Sequence, residues 1–291
     1  MKAVLEAVVD LARKAVHQAR ISWYLASGRR PWTRGYAEYR ERSLARLVRD
    51  EARMTSFAHS NSLPAGHGYR LDARMVEIPW LLARLSKAPG RLLDAGSSLN
   101  RESVLAEIAA RKQVVIFTLA PESECHWRRK VSYVYGDLRE LPFVDAYFDE
   151  IACISTLEHV GMDNSRYEGA MAAAAQTRGS YVRALREMRR VLKPGGRLFV
   201  SVPFGRFEDH GWFRQFDGEH VDQVIAEFAP AHWNETVFSY TAQGWRVSDR
   251  ASSAACEFFD ARAASPDGRS MPVAPDYAPG ERAVICLELG K

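Results

Sequence analysis

The chain has 291 residues, 47% of them apolar, and a formal net charge of +4. This composition can form a sizeable core and excludes a chain that is disordered throughout. The four cysteines lie far apart and form no CxxC pair, which argues against a disulfide framework or a zinc knuckle and predicts a reducing, cytoplasmic location.

Basic residues are concentrated near the start of the chain. Residues 1–60 contain 12 Lys/Arg and 6 Asp/Glu, so the remaining residues carry a net negative charge. Because a nucleic-acid enzyme more often has its basic residues around the catalytic domain, we expect no nucleic-acid partner. No apolar run is long enough to span a bilayer. Glu6 and Asp10 interrupt the first apolar stretch, which is not expected of a signal peptide.

Residues 1–69 are predicted to form a basic, helical N-terminal arm. Apolar residues recur at helical spacing up to about Ser27, and Gly28 and Pro31 then break the helix. A second helix, rich in arginine, is predicted to start at Tyr36. The pattern leaves three interpretations open: helices packed over the catalytic domain, a lid over the substrate, or a surface that contacts acidic lipid or an anionic glycolipid.

The rest of the chain, residues 70–291, is predicted to form one catalytic domain. A polar, glycine-containing loop (59–69) precedes it, and a helix over 71–86 contains Pro79, which marks a kink or a fresh start. Seven runs of strand length follow: the run that ends at Asp94, then 114–119, 132–137, 150–154, 197–202, 236–240 and 283–289. The pattern loosens between residues 161 and 180, which predicts an insertion after the fourth strand.

The first strand ends in an acid-small-Gly turn, Asp94-Ala95-Gly96-Ser97, and a helix-forming run follows at once. Ligands bind where the ends of parallel strands open into a crevice, and free N–H groups at a helix start favour an anion. Further motifs follow in order at Gly136-Asp137-Leu138, Leu157-Glu158-His159 and Lys193-Pro194-Gly195-Gly196. This order resembles that of a class I S-adenosylmethionine-dependent methyltransferase.

The resemblance implies a doubly wound, Rossmann-like α/β fold with a seven-stranded sheet behind the N-terminal arm. It also implies S-adenosylmethionine as cofactor, with the adenine amino group bonded to Asp137 and the fourth strand ending under the sulfonium. The residues expected to bind the cofactor are Asp94, Gly96, Ser97, Asn100, Thr118, Asp137, Leu138 and Thr156.

Two positions depart from the family pattern. The first turn of the family usually reads acid-x-Gly-x-Gly-x-Gly, and this chain keeps the acid and the first glycine only. Thr118 stands where the family normally has an acid that accepts both ribose hydroxyls. A threonine can make one such bond but lacks the charged, bidentate acceptance of a carboxylate. Glu122 or Glu124 could take that role.

Three histidines are candidates for acid–base chemistry or substrate binding. His159 follows the fourth strand, where the resemblance brings acceptor and sulfonium together, and His210 could act from the opposite loop. The alternative for His159 is a purely structural hydrogen bond. We expect Trp212, Phe213 and His220 to bind the acceptor. Asp217 and Glu219 lie near these residues but fit no metal-ligand spacing, so no metal is expected.

The sequence therefore predicts an enzyme that moves a methyl group from S-adenosylmethionine to oxygen or nitrogen of a small-molecule or sugar-containing acceptor. Such sequences resemble methyltransferases of polysaccharide or secondary-metabolite biosynthesis. One alternative is a catalytically silent methyltransferase fold that acts as a binding or scaffold protein. A nicotinamide dehydrogenase is disfavoured, because GxGxxG is absent and Lys193-Pro194-Gly195-Gly196 has no place in one. The oligomeric state cannot be read from the pattern.

Overall fold

A computed structural model describes residues 2–59, 62–164, 180–261 and 272–291. Most of the insertion predicted between residues 161 and 180 lies outside these ranges. The described helices are α1 (Lys2–Ala26), α2 (Tyr36–Leu47), α3 (Glu51–His59), α4 (Arg74–Arg84), α5 (Glu102–Ile108), α6 (Tyr181–Val191), α7 (Gly218–Phe228) and α8 (Arg250–Ser253). The described strands are β1 (Gly90–Ala95), β2 (Lys112–Thr118), β3 (Ser132–Tyr135), β4 (Phe148–Ile154), β5 (Leu192–Pro203), β6 (Glu208–Asp209), β7 (Arg214–Gln215), β8 (His232–Thr241), β9 (Gly244–Ser248) and β10 (Ala283–Gly290).

One eight-stranded sheet organises the fold, in the order β3-β2-β1-β4-β5-β10-β8-β9. The first five strands pair in parallel, and β10 pairs antiparallel with both β5 and β8. The chain winds outward from β1 to β3 and then returns to the other side of β1 at β4. Ligands bind at such a reversal in open α/β sheets, beyond the carboxyl ends of the strands.

The predicted doubly wound α/β fold is confirmed, with eight strands in the large sheet where the sequence predicted seven. The additional strand is β9, which pairs antiparallel with β8 across a short hairpin. It has only five residues and sits at the sheet edge, with Trp245 buried and Arg246 exposed. Such a short run, interrupted by a charge, gives a weak period-2 signal.

Apolar residues cover both faces of the sheet. On one face Leu92, Ile154 and Phe199 pack in a cluster that includes residues of α2, α4 and α5. On the other face Leu93, Ile151 and Val200 pack with residues of α6 and α7. Neighbouring residues of β1 thus belong to different clusters, as the alternation of side chains along a strand requires.

The N-terminal arm divides into a packed and an exposed part. From Ile21 onward it contributes fully buried side chains to the molecule, among them Tyr24, Tyr36, Leu44 and Phe57. Residues 11–20 of α1, by contrast, are all exposed. In the described part of the chain, no helix combines the length and apolar character needed to cross a membrane.

Proline does not end α4, although Pro79 lies in its middle. A proline has no N–H to donate to the carbonyl four residues earlier, which here belongs to Met75. The Nε2 of His67 lies 2.8 Å from that carbonyl oxygen and donates to it. The predicted loop before the catalytic domain therefore ties down the first turn of α4.

We expect the packed part of the arm to be necessary for folding. Burying each of Tyr24, Tyr36, Leu44, Leu47 and Phe57 contributes about 1.5–3 kcal/mol, a total comparable with the whole stability of a typical domain. Removing residues 1–59 should therefore abolish cooperative thermal unfolding, measured by circular dichroism. Removing residues 1–19 is the control and should leave a cooperative transition within a few degrees of the full chain. Cooperative unfolding of the chain that lacks residues 1–59 would show that the arm is not needed for folding.

Candidate active site

One cavity of about 520 Å³ lies at the carboxyl ends of β1, β2 and β4. Its volume is in the range of small-molecule sites. Seven residues predicted from the sequence line it: Gly96, Ser97, Thr118, Asp137, Leu138, Thr156 and His159. These residues come from four separate motifs, so the fold gathers them at the switch point of the sheet.

The first turn has the backbone geometry of a close approach. Gly96 has a φ of 115°, and a Cβ at this position would overlap the side chain of Thr156. The Gly96 amide donates to the carbonyl of Phe117 at 2.8 Å, which joins the end of β1 to β2. Ser97 follows with a φ of 65°, the left-handed region, and its buried Oγ has no hydrogen-bond partner among the described residues.

Asp94 and Asn100 support the turn from outside the cavity wall. Asp94 is completely buried, and its Oδ2 accepts a bond from the amide of Leu99 at 2.9 Å. Burial raises the pKa of Asp94 to about 7. Asn100 donates to the carbonyl of Glu124 and accepts from the Tyr133 hydroxyl, both at 2.9 Å. The sequence assigned both residues to the cofactor; in this structure Asp94 bonds to the main chain, and Asn100 bonds to the Glu124 carbonyl and the Tyr133 hydroxyl.

Asp137 lines the cavity beside the end of β3 and is paired with Arg139. The guanidinium of Arg139 donates to both carboxylate oxygens, at 2.6–3.0 Å. Partial burial raises the pKa of Asp137, but the bonds from Arg139 outweigh it and the net shift is downward. The carboxylate is therefore ionised at neutral pH and can accept a hydrogen bond from a ligand.

His159 is held in one orientation by the loop after β5. Its Nδ1 lies 3.0 Å from the carbonyl oxygen of Trp212, so Nδ1 carries the proton and Nε2 the lone pair. The Trp212 ring stacks on the imidazole at a centroid distance of 5.3 Å. Burial lowers the pKa of His159 to about 4. The imidazole is thus neutral at physiological pH, a shift that the sequence did not predict.

The other residues predicted after β5 lie outside the cavity wall. His210 stacks on Phe213, which is buried. His220 bonds to Asp217, the residue that caps the start of α7, at 2.7 Å. Trp212 contacts His159, which lines the cavity. No group of three His, Cys, Asp or Glu residues that could hold a metal occurs in the described ranges.

Sequence reasoning missed three arginines that line the cavity: Arg74, Arg101 and Arg139. Arg101 and Arg139 adjoin predicted motifs, and a charged residue next to a binding turn is a usable signal. Arg74 lies on α4, outside every motif, and bonds to the buried Glu77 at 2.7 Å. Nothing local in the sequence marks that residue.

A second buried carboxyl, Glu158, should make stability depend on pH. Burial raises its pKa to about 8, against about 4.3 in an unfolded chain. The folded state therefore binds this proton more tightly, so the contribution to stability is complete below about pH 4.3 and is lost as the pH rises toward 8. Glu158→Gln should raise the thermal unfolding midpoint at pH 8 by about 3 °C or more, with a smaller effect at pH 5.

Glu140→Gln is the matched control, because the Glu140 side chain is 71% exposed. This variant should keep the pH dependence of the unaltered chain. If Glu158→Gln showed the same dependence as that control, the carboxyl of Glu158 would not carry the raised pKa.

Comparisons with known proteins agree with the motifs. A sequence profile described as a methyltransferase domain matches residues 93–200. A protein of Encephalitozoon cuniculi, whose name assigns it provisionally to the methyltransferases, is 38% identical over 69 residues, or 24% of this chain. The match spans about a quarter (26%) of the length of that curated relative.

Two solved structures are also similar. The YcgJ protein from Bacillus subtilis has a TM-score of 0.45 at 14% identity, over 74% of this chain and 97% of its own. The 1,6-didemethyltoxoflavin-N1-methyltransferase of Burkholderia thailandensis, solved with S-adenosylhomocysteine, has a TM-score of 0.47 at 16% identity, over 84% and 87%. The profile match over residues 93–200 confirms the predicted resemblance to the S-adenosylmethionine-dependent methyltransferases.

Proposed function

We propose that this chain transfers a methyl group from S-adenosylmethionine to an oxygen or nitrogen atom of a small-molecule or sugar-containing acceptor. The observation that carries the proposal is that Ser97, Asp137 and His159, from three different motifs, line one cavity at the switch point of the sheet. Our assignment of roles to these residues is part of the proposal.

The first turn fits the amino-acid end of the cofactor. A buried hydroxyl without a partner costs free energy, so a ligand that bonds to the Oγ of Ser97 is favoured there. The left-handed backbone at Ser97 and the missing side chain at Gly96 let a ligand approach the main chain closely.

Glu122 is our candidate for the ribose hydroxyls. Thr118 supplies only one neutral hydroxyl at the end of β2, whereas Glu122 lines the same cavity four residues later. A carboxylate can accept from both hydroxyls and bonds more strongly than a neutral group. Glu124 is exposed and is not among the residues that line the cavity.

The adenine end fits Asp137 and Leu138. Arg139 keeps Asp137 ionised and fixes its orientation through three bonds from the guanidinium. A fixed carboxylate is a suitable acceptor for an amino group. Leu138 is buried next to it and supplies an apolar surface for the ring.

When bound, S-adenosylmethionine supplies a methyl group on a positively charged sulfur. The protein then has to position the acceptor in line with that group, which can account for much of the rate increase. The Nε2 lone pair of His159 accepts the hydrogen bond of the acceptor N–H or O–H and takes its proton as it leaves. With a pKa of about 4, His159 is a weak base.

The finer assignments remain proposals. We propose a small-molecule or glycan-type acceptor, a cytoplasmic location and a role in polysaccharide or secondary-metabolite biosynthesis, as the sequence resemblance suggests. We also propose that residues 1–69 form an arm that governs access to the site and that residues 70–291 form the catalytic domain.

A catalytically silent binding protein is the second candidate. Two observations favour it: Thr118 replaces the usual acid, and burial makes His159 a poor base. The two candidates share cofactor binding and differ in turnover. A protein that binds S-adenosylhomocysteine but transfers no methyl group to any acceptor would fit the silent alternative.

We expect S-adenosylhomocysteine to bind with Glu122 and Asp137 as polar anchors. Glu122→Gln and Asp137→Ala should each weaken binding by about 1–3 kcal/mol, the range for losing one polar partner at a buried site. Isothermal titration calorimetry measures this directly. Glu124→Gln is the matched control for Glu122→Gln and should bind like the unaltered chain.

The absence of any heat or thermal shift at millimolar ligand would contradict the proposed function as a whole. Equal losses of affinity in Glu122→Gln and Glu124→Gln would contradict only the assignment of Glu122 to the ribose hydroxyls. An unchanged affinity of Asp137→Ala would mean that the adenine lies elsewhere.

The role of His159 is tested by turnover. His159→Ala should lower kcat by about 10²-fold, the low end of the range for general acid–base catalysis, because a residue with a pKa of about 4 is a weak base. Cofactor affinity should change little. Because a pKa of about 4 keeps the imidazole neutral, protonation of His159 should lower the turnover of the unaltered chain as the pH drops through about 4. His210→Ala and His220→Ala, which alter residues outside the cavity wall, are the comparisons. A larger loss in either than in His159→Ala would place the chemistry on the other loop.

A further inference from the structure

The first helix carries an apolar stripe that faces away from the protein. The four larger side chains of the stripe are Val8, Leu11, Val16 and Trp23, which are 57%, 69%, 51% and 48% exposed. Three alanines continue it at helical spacing: Ala12, Ala15 and Ala19, all exposed. A contiguous exposed apolar surface of this kind usually marks an interaction site.

The protein holds this helix by its opposite side. Ile21 and Tyr24 are completely buried, and at about 100° per residue they share a side with Lys14 and His17. Arg20 pairs with Glu38 of α2 at 2.8 Å, and Gln18 accepts a bond from Arg42 at 3.2 Å. A helix meant for the core would bury this stripe, whereas α1 is held by Ile21, Tyr24 and two polar contacts and leaves the stripe exposed.

The charge of the residues around the apolar stripe indicates which kind of surface covers it. Residues 1–60 carry 12 Lys/Arg against 6 Asp/Glu, although the rest of the chain is net negative. Arg13, Arg30 and Arg34 are exposed, and Trp32, 43% exposed, adds a second exposed tryptophan to the arm. A second copy of the chain would bring two arms of the same positive charge together. An anionic surface would instead neutralise them.

We propose that α1 lies in the interface of an anionic lipid membrane, with its apolar stripe in the acyl boundary and its basic residues among the headgroups. This helix fits the pattern of an interfacial anchor: an apolar face, a charged opposite face with basic residues, and tryptophan at the edge. The arm is also linked to the candidate site, since Glu41 on α2 pairs with Arg101, which lines the cavity. The proposal is independent of the proposed chemistry.

The experiment is co-sedimentation of the full chain with vesicles. Vesicles of phosphatidylcholine with about one third phosphatidylglycerol should bind the protein, and pure phosphatidylcholine should bind it much less, because the basic arm contributes about 1 kcal/mol for each cation near an anionic surface. Raising the salt concentration should weaken the binding. Val16→Asp and Trp23→Ser should each lower the apparent affinity by about tenfold or more, since each removes buried apolar area.

Two matched controls are available elsewhere on the surface. Val144→Asp and Trp127→Ser make the same replacements at side chains that are 70% and 66% exposed. These variants should bind like the unaltered chain, and circular dichroism should show that all four variants are folded. Loss of binding only in the α1 variants supports the proposal.

Three outcomes would overturn it. One is failure of the unaltered chain to bind anionic vesicles. Another is equal loss in the α1 variants and in their controls. The third is a stable dimer in analytical ultracentrifugation that Val16→Asp dissociates, because the stripe would then be covered by a second copy.

Discussion

The candidate site depends on one close approach, that of Gly96 to Thr156. A side chain at Gly96 would overlap Thr156, so the ends of β1 and β4 can come this close only with glycine. The Gly96 amide also donates a hydrogen bond to the carbonyl of Phe117, near the end of β2. One residue without a side chain therefore sets the distances between three walls of the cavity. This explains in physical terms why the first glycine is present although the rest of the motif has changed.

The residues that stand at two glycine positions of the family pattern have a structural role. In the family pattern, positions 98 and 100 would also be glycine, and this chain has Ser98 and Asn100. The Oγ of Ser98 donates to the carbonyl of Ile154 at 2.5 Å, at the end of β4. Asn100 bonds to Glu124, in the loop between β2 and β3, and to Tyr133 of β3. Each polar side chain thus cross-links the turn to a neighbouring strand, which fixes a loop that glycine would leave flexible.

Regular secondary structure and the fold could be predicted from the sequence because parallel strands buried on both faces are long apolar runs. The edge strand β9 was missed because a short strand with one exposed charge lacks that signal. Within the site, the motif positions lining the cavity could be predicted, but the ring environment of His159 could not. Its low pKa comes from burial, which outweighs the opposing effect of the bond to the carbonyl of Trp212, a residue 53 positions away. The sequence left open whether the arm packs on the catalytic domain, because helical periodicity shows which residues share a face but not which face is covered.

The electrostatics of the cavity restrict the chemistry that can occur there. His159 is neutral with a pKa of about 4, and the adjacent Glu158, whose pKa burial raises to about 8, is largely protonated at pH 7. Neither group is a strong base at neutral pH. An alcohol needs substantial help to lose its proton, whereas an amine nitrogen already offers a lone pair and loses its proton easily after alkylation. The wall beside β4 would therefore give little help to an alcohol, and an acceptor that is nucleophilic by itself would depend mainly on positioning.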